Sequence, residues 1–127
     1  MVKVGFSRSE NRKEFYFQKA VQFIGLSYSN YISVRQIADH IGIDRTYLYS
    51  IFKTILNKSP EDYLIGFRMT KACELMQDET LSIGDISRSV GYDDPLQFSK
   101  MFKKHKHMSP SEYRKSHPPR SGLEGCL

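Results

Sequence analysis

Two short stretches of the chain carry side chains able to make directional contacts with a partner. The first holds Arg45, Thr46, Tyr49, Ser50 and Lys53, and the second Leu96, Gln97, Ser99, Lys100 and Lys103. Their chemistry is recognition, not bond breaking. An arginine or lysine can pair with an anion or donate hydrogen bonds, a glutamine can donate and accept at once, and an exposed leucine can only offer an apolar contact. No nucleophile–base pair is suggested, because the many Ser and Asp residues stand where helices need caps. His105 and His107 lie two apart on one helix, so their rings point to different faces and make a poor metal pair. His40 and His117 have no Cys or acidic partners nearby. No catalytic residue, metal or cofactor is therefore expected, and the chain is not read as an enzyme. Cys73 reads as a small core residue.

The two stretches belong to one unit written twice. Shifted by 49 positions, Ser33, Ile37, Gly42 and Asp44 fall on Ser82, Ile86, Gly91 and Asp93. After a one-residue insertion, Phe52, Lys53, Ser59, Pro60 and Tyr63 fall on Phe102, Lys103, Ser109, Pro110 and Tyr113. These identities occupy the positions that cap helices, turn corners or fill cores.

Charge is spread unevenly along the 127 residues, whose net is +5. Residues 1–60 and 97–127 each carry an excess of five positive charges, and residues 61–96 an excess of five negative ones. Two basic lobes flanking an acidic middle suit a chain that grips a polyanion at two places, although a solvated surface would also carry such charges. The hydrophobic fraction of 39% supports a packed core. No apolar run approaches the roughly 20 residues of a membrane span, and no cleavable signal pattern follows Met1. Cys126 stands far from Cys73 and close to the chain end, so a reducing cytosol fits and the expected location is cytoplasmic. No membrane partner is expected.

Positioning those side chains falls to helices whose starts are explicit. Ser33 and Ser82 precede apolar runs and are followed three residues on by Gln36 and Asp85, a capping-box pattern that is imperfect at the shorter Asp85. Ser59-Pro60 and Ser109-Pro110 each place an N-cap acceptor before a proline at the first helical position. Asp44, and Asp93 or Asp94, cap the helices that follow the two glycines. The spacing predicts helices over 13–27, 34–41, 45–56, 60–78, 83–90, 95–106 and 110–116, and no sheet. The expected fold is all-α: seven helices, with two helix-turn-helix subdomains joined by a long central helix. In each short pair a small residue (Ala38, Ser87) lets the second helix approach, and a glycine (Gly42, Gly91) takes the left-handed turn. Ile37, Ile41, Ile43, Leu48 and Ile51 fill the first core; Ile86, Val90, Tyr92, Phe98 and Met101 fill the second.

The run from Ile32 to Lys115, about two thirds of the chain, resembles the AraC/XylS-type DNA-binding domain. The second copy carries the most specific stretch: Ile83, Ile86-Ser87, Val90-Gly91-Tyr92, Phe98-Ser99, Phe102-Lys103-Lys104, Ser109-Pro110 and Tyr113-Arg114. Tyr63-Leu64, Arg68, Ala72 and Leu75-Met76 match the helix that joins the copies. Ser87 stands where alanine is usual, Cys73 replaces a commonly charged position, and Asn57-Lys58 and His107-Met108 lack a glycine frequent in that turn. Members of the family are bacterial transcription regulators whose two homeodomain-like units bind adjacent major-groove segments. The resemblance therefore implies sequence-specific binding of double-stranded DNA. A central helix of about 19 residues spans roughly 28 Å, which would set the recognition helices about one DNA turn, roughly 34 Å, apart. The site would then be asymmetric and direct-repeat-like, not a palindrome.

The resemblance makes Thr46, Tyr49 and Ser50 base-facing, with Arg45 at the first turn; in the second copy Leu96, Gln97 and Lys100 are the base candidates. Ser33, Arg35, Lys53, Lys103, Lys104 and Arg114 are candidates for phosphate, contacts that position the protein without reading sequence. The alternative is a protein-interaction module that keeps the fold but has lost DNA binding. RNA polymerase is a further candidate partner. Nothing in the chain promises a small-molecule pocket, so an effector would be bound by an upstream domain. The expected domain plan is a linker or added lead at 1–12, subdomains at 13–58 and 80–116, a linking helix at 59–79 and a disordered tail at 117–127.

Overall fold

The computed structural model describes residues 8–118, with side chains from Asn11 onward. Seven helices and no strand occur among them: α1 (Arg8–Ser27), α2 (Val34–Ile41), α3 (Arg45–Leu56), α4 (Pro60–Leu75), α5 (Ile83–Ser89), α6 (Pro95–Lys106) and α7 (Pro110–Ser116). The tail beyond Pro118 lies outside the described residues. Three boundaries differ from expectation, the smallest at α5, which ends at Ser89 and not at 90. Helix α1 starts five residues before Lys13, because Arg8–Arg12 contains no helix breaker even though it lacks the apolar spacing that marks the rest. Helix α4 stops three residues short of Asp78, at 16 residues or about 24 Å. There the chain tightens, Gln77 N donating to Glu74 O and Asp78 N to Leu75 O. The Asp78 carboxylate then accepts from Thr80 N at 3.0 Å and Thr80 Oγ1 at 2.6 Å.

The remaining ends follow the sequence signals. Ser33 Oγ accepts from Gln36 N while Gln36 Oε1 accepts from Ser33 N. Ser82 and Asp85 close the same reciprocal pair, the short carboxylate reaching Ser82 N at 3.0 Å. Asp44 caps α3 through Tyr47 N, and Asp94, not Asp93, caps α6 through Leu96 N. The inserted residue therefore lies before that cap. Gly42 and Gly91 adopt φ of 82° and 98°. The glycine-free turns after α3 and α6 are also left-handed, with Asn57 at φ 58° and His107 at φ 67°.

The chain forms two compact units that divide inside α4, between Leu64 and Ile65, with Ser29–Tyr31 belonging to the second. In the first, Ala20 and Ile24 of α1 seal against Ile37, Ala38, Leu48, Ile51 and Phe52. Phe17 and Tyr63 flank Phe52 with ring centroids 5.1 and 5.5 Å away. In the second, Met69, Ala72, Met76, Ile86, Val90, Phe98 and Phe102 are buried, and Tyr113 of α7 meets Phe102 edge-on at 5.4 Å. Ile41, Ile43 and Met101 are half-buried, at the margins of these cores. No helix among the described residues is long and apolar enough to cross a membrane.

Candidate nucleic-acid interface

Helix α3 is amphipathic for a geometric reason: Leu48, Ile51 and Phe52 are drawn into the core, and residues three and four apart share the opposite face. On that face Arg45, Thr46, Tyr49 and Lys53 are exposed and Ser50 is half-buried. Lys53 Nζ stands over the Tyr49 ring, 5.9 Å from its centroid, one helical turn away. Arg45, Thr46, Tyr49 and Lys53 line an open cleft of about 780 Å³ whose other wall is the start of α4, with Glu61 and Asp62. Ser33 and Arg35, at the start of α2 in the same unit, are exposed. Ser33 Oγ accepts the capping bond, which leaves its proton free to donate.

Helix α6 repeats the plan with other chemistry. Phe98 and Phe102 are sealed, while Leu96, Gln97, Lys100, Lys103 and Lys104 are exposed. Its first turn has no cation and follows the exposed Asp93 and Asp94; its last turn holds Lys103, Lys104, His105 and Lys106. Ser109 N–H and its hydroxyl hold the Glu112 carboxyl below the usual carboxylate range, helped by Lys103 and Lys115. An ionised Glu112 therefore offsets part of the field of Lys103.

A family model described as a helix-turn-helix domain matches residues 37–116. The chain is 47% identical over 97 residues to the lactose operon transcription activator of Staphylococcus xylosus, covering 76% of this chain and 35% of that protein. The chain belongs to the AraC-type helix-turn-helix family. Among solved structures it is similar to the C-terminal domain of AraT, a response regulator from Geobacillus stearothermophilus, with TM-score 0.78 and 32% identity over 84% of this chain and 88% of that one. It shares its fold with an AraC-type transcriptional regulator from Chromobacterium violaceum, at TM-score 0.74 and 24% identity over 87% and 99% of the two chains. The chain spans about a third of the length of the curated relatives it matches.

Two arginines hold structural places beyond those expected of them. Arg114, a phosphate candidate, is half-buried and donates from Nη2 to Asp78 O at 3.3 Å, so its guanidinium ties α7 to the turn after α4. Its Nε is buried with no hydrogen-bond partner. Arg68, expected only as part of the joining helix, is 7% exposed, donates to Asn30 O at 2.9 Å and stacks over Tyr92 at 5.4 Å. Burial lowers its pKa, opposed by the neighbouring Tyr92. The signal was available: Leu64, Arg68, Ala72 and Met76 recur every fourth residue, and a cation inside an apolar stripe is a cation in the core. Ser87 is likewise buried, and its hydroxyl donates to Tyr92 O at 3.0 Å. The residue standing in place of the family's alanine thus staples the second turn.

Proposed function

We propose that this chain is the DNA-reading part of a bacterial transcription regulator, binding double-stranded DNA sequence-specifically through α3 and α6. The observation that carries the reading is the pair of capped second helices, each with a sealed apolar face and an outward face of hydrogen-bonding side chains. Arg45, Thr46, Tyr49 and Ser50 read one major-groove segment; Leu96, Gln97 and Lys100 read the adjacent one. Ser33, Arg35, Lys53, Lys103 and Lys104 hold phosphates, and Arg114 stiffens the lobe that presents them. The whole regulator acts in the cytoplasm, binds its effector in an upstream domain and meets RNA polymerase at the promoter. Likeness to a lactose operon activator makes saccharide-utilisation operons the first targets to test.

Affinity for duplex DNA measured against salt tests the core of this reading. With about six phosphates neutralised, log K falls against log salt with a slope near −5, at about 0.9 per phosphate. Salt-insensitive or absent binding would leave the protein-interaction alternative.

A further inference from the structure

Leu96 is 74% exposed at the second position of α6, the most exposed large apolar side chain on either recognition helix. A lone exposed leucine is ordinary on a protein surface; the placement of this one is not. Its counterpart in α3, fifty residues earlier, is Thr46, which can donate and accept hydrogen bonds. Leu96 offers only carbon. Its backbone is pinned, because its N–H donates to the capping Asp94 Oδ1 at 3.0 Å, so the side chain projects from a fixed point. Its surroundings narrow what it can meet. Asp93 and Asp94 are exposed acidic residues just before it, and the first turn of α6 carries no cation. That arrangement disfavours the acceptor-rich edge of guanine and the phosphate backbone. The one major-groove feature a carbon surface can recognise is the thymine 5-methyl group, and the neighbouring exposed Gln97 has the donor–acceptor pair that fits adenine.

We infer that Leu96 reads a thymine 5-methyl group, so that the half-site facing α6 contains an A·T pair identified by methyl contact. This rests on the proposal that α6 enters the major groove. The test uses two pools of random duplexes, one containing thymine and one containing deoxyuridine throughout, which differ only in that methyl. The wild-type chain and its Leu96→Ala and Gln97→Ala variants are each used to select binders. From the thymine pool the wild type recovers a two-part motif, and Gln97→Ala marks the half that belongs to α6. In that half one position prefers thymine by about fourfold, the equivalent of burying one methyl group. The preference vanishes when the wild type selects from the uracil pool and when Leu96→Ala selects from the thymine pool. In both cases the α3 half of the motif persists, showing that the variant is folded. An equal preference for uracil at that position in the uracil pool, or a thymine preference kept by Leu96→Ala, overturns the inference while leaving DNA binding intact. If no pool yields a motif with any protein, the underlying DNA-binding reading fails instead.

Discussion

The two helix-turn-helix units agree wherever the backbone makes a demand and differ wherever it makes none. Both start on a reciprocal serine box, at Ser33 and Ser82. Both turn on a glycine of positive φ. Both close the turn with the same backbone bond, Ile43 N to Ala38 O at 3.1 Å and Tyr92 N to Ser87 O at 3.0 Å. Facing outward, Arg45-Thr46 becomes Pro95-Leu96, and Tyr49-Ser50 becomes Ser99-Lys100. Tyr47, half-buried against Tyr16 of α1 at 5.9 Å, becomes the exposed Gln97. Orphaned N–H groups and left-handed turns have few chemical solutions, so a duplicated scaffold repeats them. Outward-facing side chains meet no such demand and are free to diverge.

The largest break in this symmetry should come from the shared turn. Valine at either glycine forces a β-branched residue into a left-handed conformation, at about 2–3 kcal/mol. At Gly42 an added Cβ meets nothing within 4 Å, so backbone strain is the main effect expected there. Gly91 is buried whereas Gly42 is exposed, so the larger cost is expected at Gly91. Gly91→Val should therefore loosen the second unit, α7 included, while Gly42→Val acts locally in the first. Amide exchange read unit by unit checks this; uniform loss of protection in both variants would show one cooperative core.

Next in size are the outward faces. Tyr49→Ala and Ser50→Ala should change base preference in one half of the selected site only, and Gln97→Ala and Lys100→Ala in the other, each at about 1–3 kcal/mol. If all four weaken every sequence equally, the side chains do not read bases and the division of labour between α3 and α6 is lost.

How much of this was legible follows from where the physics is local. Capping is a matter of three or four residues, so the starts of α2 to α7 could be read from Ser, Asp and Pro alone. The core positions followed from helical spacing. What escaped depended on tertiary surroundings. The end of α4 rests on a hydrogen-bonded turn at Asp78 and Thr80 with no glycine or proline to announce it. Arg114 looks like any solvated cation until the Asp78 carbonyl is found beside it. Ser87 looked like a departure from the family pattern until its acceptor, Tyr92 O, came into view. Outward faces were legible as faces, but exposure alone does not separate Leu96 from a bystander, which is why it needs the methyl test.

Ser87 sharpens the comparison at a smaller scale. Its hydroxyl bond exists only in the second copy, because Ala38 has nothing to donate. Ser87→Ala should destabilise the second unit by about 1 kcal/mol, the usual net worth of one buried hydrogen bond, and leave the first unchanged. Unit-resolved amide exchange or urea melts monitored in each unit would reveal it. Equal effects in both units would mean that the turn bond is immaterial and the units melt together.

Acid should produce the mildest difference, and its sign follows from the caps. Hydrogen bonds from Thr80 hold the Asp78 carboxyl below its ordinary range; those from Ser82 do so for Asp85, and those from Ser109 for Glu112. All three groups lie in the second unit. The equivalent box in the first copy uses Gln36, which does not titrate. A carboxyl with a depressed folded pKa stabilises the fold above its unfolded value, near 4. That stabilisation is lost as pH falls through the folded value, because the folded state resists taking up the proton. Lowering pH from 6 to 3 should therefore weaken the second unit ahead of the first, the order visible in residue-resolved NMR. Asp85→Gln, which imitates the first copy's neutral box, should reduce the gap between the units at low pH while leaving both folded at neutral pH. If acid instead weakens the first unit first, charged caps are not what distinguishes the two copies.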